Sequence, residues 1–224
     1  MELLSVGIAR CLWFIDTREL NPRGREFQTG LFSALAEKYD FSKAPYDEDD
    51  KTPNIKESPG YKFIDGTYSN PAGVEIMVNL TIFDDGLLAE TRSSTDDSDA
   101  FLNEIVQMAV DEFGLVFKPE MILKKGYISE LYVSPSRALS DLNRKLNQIA
   151  ERLTALMSVS DCAAKYELAG VLFNSDPGLK EPGPFRFERK IDTPFSKNKF
   201  YSFAPLPTNT HLELLEDLEH ILGS

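Results

Sequence analysis

The sequence predicts an α+β protein made of two tandem βαβββα pseudo-repeats. Each repeat is expected to form an antiparallel or mixed sheet covered by helices, and the two repeats to be related by a pseudo-twofold axis. Two observations support this prediction. Segments with strand-like alternation and segments with helical periodicity follow one another in the same order twice. Two stretches of the first half also match stretches of the second half residue by residue.

The first half begins with a segment rich in β-branched and aromatic residues at 8–15, which predicts a buried strand. Apolar residues at helical spacing then predict a helix from about residue 26 to Tyr39. Residues from about 40 to 60 contain prolines and an acidic run, so we expect an exposed loop there. Beyond it, three strands forming an antiparallel meander are predicted at 61–68, 74–83 and 87–93, and Asp85-Gly86 predicts the hairpin turn between the last two.

A helix closes the first half, with capping residues ahead of an apolar stripe that starts at Phe101 and Leu102. The same order then begins again with a strand at 127–133. A long helix is predicted from Ser136, its N-cap, to Met157. Three strands and a capped C-terminal helix complete the second half, at 166–173, 184–191, 199–205 and 208–222.

The two halves match without gaps in two places. Residues 12–27 align with 131–146, which pairs Leu12 with Leu131 and Leu20 with Leu139. The helix that closes the first half aligns with the C-terminal helix, which pairs Thr95 with Thr208 and Leu102 with Leu215. The predicted organisation is therefore an N-terminal repeat at 1–118, a connector at 119–126 and a C-terminal repeat at 127–224.

Charge is distributed unevenly along the chain. The formal net charge is −12, and residues 121–224 hold equal numbers of acidic and basic side chains, so the whole excess lies in residues 1–120. Such a surface repels phosphates, which disfavours nucleic acid as a partner. No apolar run is long enough to cross a bilayer, and the N-terminal segment lacks a basic region, so we expect a soluble cytoplasmic protein without a membrane partner.

The sequence contains no recognisable catalytic or metal-binding motif. The two cysteines, Cys11 and Cys162, are expected to be free core thiols, and the two histidines, His211 and His220, to lie on opposite faces of one helix as surface or capping residues. We therefore expect no cofactor, no metal and a non-catalytic binding or assembly protein. The alternative is an enzyme or small-molecule binder with a site in the cleft between the repeats.

One candidate ligand-binding cluster lies where a strand ends and the helix near residue 95 begins. It comprises Arg92, Ser94, Thr95, Asp96 and Asp97. Unpaired N–H groups at a helix N-terminus attract anions, and the aspartates suit a divalent cation better than a phosphate. The alternative is that these residues are helix caps and solvated acids.

A candidate interaction helix is indicated by a seam of apolar residues at alternating spacings of three and four. Its members are Leu139, Leu142, Leu146, Ile149, Leu153 and Leu156. Such a seam is typical of a coiled-coil face, so a protein partner is expected, with a second copy as one option. The alternative is that the seam packs on the chain's own sheet.

A second surface interleaves aromatic and basic residues between Phe185 and Phe203, as a platform for single-stranded nucleic acid would. Strand alternation favours a simpler interpretation. It places Phe185, Phe187 and Ile191 on an inner face, with Arg186 and the other charged residues outside.

Overall fold

The computed structural model of the chain describes residues 1–22, 24, 28–45, 60–139, 144–158, 165–176 and 182–223. Within these ranges the chain forms one antiparallel sheet of eight strands and four α-helices, which confirms the α+β class. The expected pair of sheets is instead a single sheet, because the two strands that open the halves of the chain are neighbours in it. No helix in the described part of the chain is long and apolar enough to cross a membrane.

The eight strands are β1 (Glu2–Phe14), β2 (Gly60–Ser69), β3 (Glu75–Phe83), β4 (Gly86–Thr91), β5 (Lys124–Ser134), β6 (Gly170–Phe173), β7 (Phe185–Arg189) and β8 (Phe200–Ala204). The four helices are α1 (Gln28–Lys38), α2 (Thr95–Phe113), α3 (Arg144–Ser158) and α4 (Thr208–Gly223). The strand order is β2-β3-β4-β1-β5-β8-β7-β6.

Three predicted boundaries are wrong by four residues or more, and one of them is the start of β6, which lies at Gly170 rather than at residue 166. Strand β1 begins at Glu2 rather than at residue 8. Helix α3 begins at Arg144, whereas the sequence predicted a start at Ser136. The backbone N–H and the hydroxyl of Ser136 both donate to Glu219, at 2.6 and 2.8 Å, so this serine is engaged with α4 instead of capping a helix. Most of the predicted loop at about 40–60 lies outside the described residues, as do 140–143.

The described chain divides into two compact units. Unit A comprises Ile8–Ser129 and Leu206–Thr208, and unit B comprises Met1–Gly7, Glu130–Pro205 and Asn209–Ser224. Strands β1 and β5 therefore each contribute residues to both units. The sequence placed the boundary in the connector at 119–126.

The core of unit A lies between its sheet and the helices α1 and α2. On β1 the alternation of a strand turns Ala9, Cys11 and Trp13 to the buried face. The predicted apolar stripe of α2 packs against that face, with Phe101 and Leu102 fully buried. Gly114 ends the helix in the left-handed conformation at φ 66°, which a residue without Cβ adopts at no steric cost.

The core of unit B is smaller. Phe187 on β7 stacks on Phe200 of β8 with ring centroids 4.6 Å apart, and Leu215 of α4 is buried in the same cluster. The expectation that Ile191 shares this inner face is wrong. Strand β7 ends at Arg189, so alternation no longer applies at Ile191, whose side chain is 81% exposed.

Candidate functional site

The predicted ligand-binding cluster lies at the N-terminus of α2. The Ser94 hydroxyl caps the helix by accepting from the backbone N–H of Asp97 at 3.0 Å. The Asp97 carboxylate in turn accepts from the side-chain amide of Asn70 at 3.0 Å. The side chains of Arg92 and Asp96 are exposed. These contacts order the start of the helix, and ligand binding at this cluster stays a prediction.

Thr95, the fifth member of that cluster, is fully buried and meets the first residue of α4. Its backbone N–H donates to the Thr208 hydroxyl at 3.0 Å, and the backbone N–H of Thr208 donates to the Thr95 hydroxyl at 2.9 Å. Each threonine therefore satisfies an N–H that the other helix leaves unpaired at its first turn. Among the described residues, no group of three or more acidic, histidine or cysteine side chains is placed to hold a metal ion.

A polar centre that the sequence analysis missed lies under Asp99, one turn into α2. Its carboxylate accepts from the indole N–H of Trp13 at 2.6 Å and from the ammonium of Lys125 at 2.7 Å. The Lys125 ammonium also lies 4.8 Å from the centre of the Trp13 ring. One signal was available in the sequence: a tryptophan on the buried face of a strand needs an acceptor for its N–H. Which acidic side chain would reach it depended on the packing of α2.

The thiol of Cys11 belongs to the same centre and lies 3.3 Å from Asp99. Burial raises the pKa of this thiol above its usual range, the negative charge of Asp99 raises it further, and Lys125 offsets only part of the effect. Burial and the nearby groups Cys11 and Asp99 also raise the pKa of Tyr127 to about 12. The centre therefore keeps its thiol and phenol protonated at neutral pH, and Cys11 is a poor nucleophile. Cys162 lies outside the described residues.

His211 is fully buried in unit B, so the expectation of a surface histidine is wrong for it, while His220 is exposed. The imidazole Nε2 lies 2.8 Å from the hydroxyl of Ser202. That hydroxyl donates its only proton to the carbonyl of Arg186 at 2.9 Å, so Nε2 carries a proton and donates to Ser202. Burial lowers the pKa of His211 to about 4. The pair resembles a serine–histidine site in composition only, because the imidazole has no free lone pair toward the serine and both side chains are buried.

The predicted interaction seam is divided between the core and the surface. Leu139 is buried in the core of unit B, and Leu142 lies outside the described residues. The other four members lie on α3 with side chains that are 43–58% exposed: Leu146, Ile149, Leu153 and Leu156. We call these four residues the α3 seam.

Helix α3 is half-buried along a different row. Asn147, Ala150, Thr154 and Met157 follow the same three-four-three spacing, one residue later than the seam. The Thr154 hydroxyl accepts from the backbone N–H of Tyr166 at 2.9 Å, which ties this row to the chain that follows the helix. Because consecutive residues of a helix point about 100° apart, the seam lies to one side of the half-buried row. The most apolar face of the helix is therefore left on the surface.

The basic and aromatic residues of the β7–β8 hairpin are distributed mainly by strand alternation, as predicted. Phe187 points to the core, while Arg186 and Glu188 are exposed on the opposite face. The ammonium of Lys190 lies 4.6 Å from the centre of the Tyr132 ring. The exposed face therefore carries acidic as well as basic side chains.

The chain matches no protein-family model and no curated protein sequence.

Proposed function

We propose that this chain is a non-catalytic cytoplasmic protein that binds a partner protein through the α3 seam. The observation that carries the proposal is the exposure of Leu146, Ile149, Leu153 and Leu156, 43–58% each, on one side of one helix. Single exposed apolar side chains are common on protein surfaces. Four of them in a continuous stripe favour an interaction surface.

The energetics favour coverage of this stripe by another molecule. Fully burying a leucine or isoleucine side chain gains about 1.5–3 kcal/mol, so completing the burial of a half-exposed one gains about 1 kcal/mol. The four seam residues together contribute about 4 kcal/mol, which suits a reversible interface whose remaining affinity comes from polar contacts at its rim.

The chemistry of the buried reactive groups also favours a binding role over a catalytic one. The Cys11 thiol is held protonated by its buried surroundings and by Asp99. The imidazole of His211 donates to Ser202 and so does not act as its base. Both groups work as parts of the core, and neither meets the substrate-accessible geometry that nucleophilic catalysis needs.

A charge introduced into the seam tests the proposal. Ile149→Glu combined with Leu153→Glu should abolish binding of the partner, because each change places a carboxylate in the apolar contact. Gln148→Glu is the matched control: it adds a negative charge to an exposed position of the same helix outside the seam. Thermal unfolding should give the same midpoint for all three proteins, since the changed side chains are exposed.

The readout is quantitative mass spectrometry of proteins retained by the tagged chain from cells that express it, together with light scattering for self-association. The proposal expects at least one protein, or a second copy of the chain, to be retained by the wild type and by Gln148→Glu and lost by the double variant. The same proteins retained by all three would overturn it.

We also propose that the chain consists of two βαβββα repeats related by a pseudo-twofold axis. Three observations support this proposal. The described α-helices and strands follow the order βαβββα twice. Read outward from the centre of the sheet, the strand order is β1-β4-β3-β2 on one side and β5-β8-β7-β6 on the other. Thr95 and Thr208, which the sequence alignment pairs, exchange equivalent hydrogen bonds.

Burial agrees with one part of the alignment and not with another. The paired residues Leu102 and Leu215 are both fully buried, as are Leu20 and Leu139 to within a few per cent. In the strands, however, the ungapped match pairs the half-buried Leu12 with the buried Leu131. Because strand faces alternate, a shift of one residue, which pairs Trp13 with Leu131, matches the faces.

The threonine pair provides a test of the symmetry. Thr95→Val and Thr208→Val each leave one buried backbone N–H without an acceptor, at a cost of about 1–3 kcal/mol. A local twofold axis predicts that the two variants lose equal stability in urea unfolding, and that Thr95→Ser, which keeps the hydroxyl, loses much less. Strongly unequal losses from the two valine variants would contradict the proposal.

A further inference from the structure

We infer that the partner element that docks on the α3 seam is an amphipathic helix with an acidic flank, and that it belongs to another protein rather than to a second copy of this chain. The inference rests on the proposed function, since it names what the seam binds. Three features support it: the spacing of the seam residues, the position of the open flank of α3 beside the seam, and the charge of that flank.

The spacing of the seam favours a helix as the partner. Leu146, Ile149, Leu153 and Leu156 occupy the a, d, a and d positions of two heptads. Side chains at these positions insert as knobs between four residues of a facing helix. A strand repeats its side chains every second residue and would match this spacing poorly.

Among the side chains of α3 that the structure describes, those on one flank of the seam leave it open to such a helix. The flank formed by the e positions holds Ala150 and Met157, which are half-buried in the row tied to Tyr166 by Thr154. The flank formed by the g positions holds Arg152, which is exposed, and in the sequence Lys145 one heptad earlier. A partner helix therefore approaches over the a, d and g positions.

The open flank is basic in a chain that is acidic as a whole. Lys145 and Arg152 are its charged g positions, and the formal net charge of the chain is −12. Acidic side chains on the facing helix gain an ion pair with the exposed Arg152, whereas basic ones are repelled. Charge complementarity therefore selects an acidic flank on the partner.

The same charges disfavour a second copy as the occupant. In an antiparallel pair of α3 helices, g positions face g positions, which brings Lys145 near Arg152 of the other copy. In a parallel pair, g positions face e positions, and these lie on the flank that the chain already half-buries. Neither arrangement gains an ion pair at the g positions.

Two synthetic peptides test the inference on the full chain. Both have about three heptads with leucine at every a and d position; one carries glutamate at e and g, and the other lysine. Fluorescence anisotropy at low and at physiological salt measures the dissociation constants. We expect the acidic peptide to bind about tenfold more tightly than the basic one, with the difference shrinking as salt rises.

Reversing a single charge on the chain tests whether the preference for the acidic peptide comes from the open flank of α3. Arg152→Glu should weaken the acidic peptide about fivefold and strengthen the basic one. Arg137→Glu makes the same charge change at an exposed position off the helix, and should leave both dissociation constants as in the wild type. Ile149→Glu with Leu153→Glu should abolish binding of both peptides.

The outcomes separate this inference from the proposed function. If both peptides bind equally well and the seam double variant binds neither, the partner has no acidic flank, but the seam is still a binding surface. Dimerisation of the wild type in light scattering, abolished by the same double variant, would replace the partner helix with a second copy. Binding to vesicles that contain anionic lipid, with no peptide binding, would overturn both, as would binding of either peptide that survives the seam double variant.

Discussion

The buried His211 should make the stability of the folded chain depend on pH between about 7 and 4. Burial lowers the pKa of its imidazole from the ordinary 6.5 to about 4 in the folded state. As the pH falls through 6.5 the unfolded chain takes up a proton that the folded chain does not, so protonation favours unfolding. The stability that the neutral, buried His211 contributes is therefore complete above pH 6.5 and is lost as the pH approaches 4.

The size of the loss follows from the two pKa values. The difference between 6.5 and about 4 corresponds to about 3 kcal/mol when it is fully developed. About 2 kcal/mol of this is lost by pH 5. The range from pH 7 to 5 isolates the histidine from Glu219, whose pKa is lowered to about 2. Burial raises the pKa of Glu219, but hydrogen bonds from the Met1 amino group and from Ser136 lower it by more. The stability that Glu219 contributes is therefore lost only below pH 4.5.

His211→Gln is the informative variant, because an amide N–H can still donate to Ser202 but does not titrate in this range. Urea unfolding of the wild type and of the variant at pH 7 and pH 5 gives the free energies to compare. The wild type should lose about 2 kcal/mol more than the variant over this interval. His220→Gln is the control: its side chain is exposed, so the pH dependence of the wild type should be retained.

An equal loss in the wild type and in His211→Gln would refute the reasoning. An NMR titration of the folded protein checks the same point directly. A midpoint near the ordinary value for the imidazole of His211 would show that it is accessible to protons and water, which contradicts the buried hydrogen bond to Ser202.

Two further predictions concern the core of unit A. Asp99→Ala leaves the buried indole N–H of Trp13 without an acceptor and should lower the free energy of unfolding by about 1–3 kcal/mol. Asp99→Asn keeps an acceptor and should lower it by less. The fluorescence of Trp13, the only tryptophan in the sequence, reports the unfolding curves of both variants. Gly66→Ala should destabilise the fold by about 1–3 kcal/mol, because the added Cβ would lie 2.4 Å from the ring of the buried Phe41. Gly126→Ala is the control, since the atom nearest to its added Cβ lies 3.5 Å away. Equal melting temperatures for the two glycine variants would contradict the prediction.

Much of the local structure was predictable from short-range patterns. The β-branched and aromatic residues at 8–15 correctly predicted a strand with a buried face, and the apolar stripe of α2 correctly predicted its inward face. The Asp85-Gly86 pair correctly placed the turn between β3 and β4. These features follow from periodicity and turn chemistry, which depend only on neighbouring residues.

The candidate sites were less predictable, because each depends on contacts between distant parts of the chain. Nothing near Trp13 in the sequence identifies Asp99 as the acceptor of its indole N–H. Nothing near His211 shows that Ser202 receives its N–H in the core. The seam spacing predicted an amphipathic helix, but not that a neighbouring row would be half-buried in its place.

The sequence by itself determined the α+β class, the faces of most strands and helices and the uneven distribution of charge, since these depend on residue type and local spacing. The tertiary structure decided that eight strands form one sheet, that Thr95 and Thr208 pair, and that four apolar residues of α3 stay on the surface. Periodicity defines which residues share a face, but which faces meet depends on the packing of elements far apart in the chain. At α3 that packing buried a neighbouring row in part and left four residues of the predicted seam exposed.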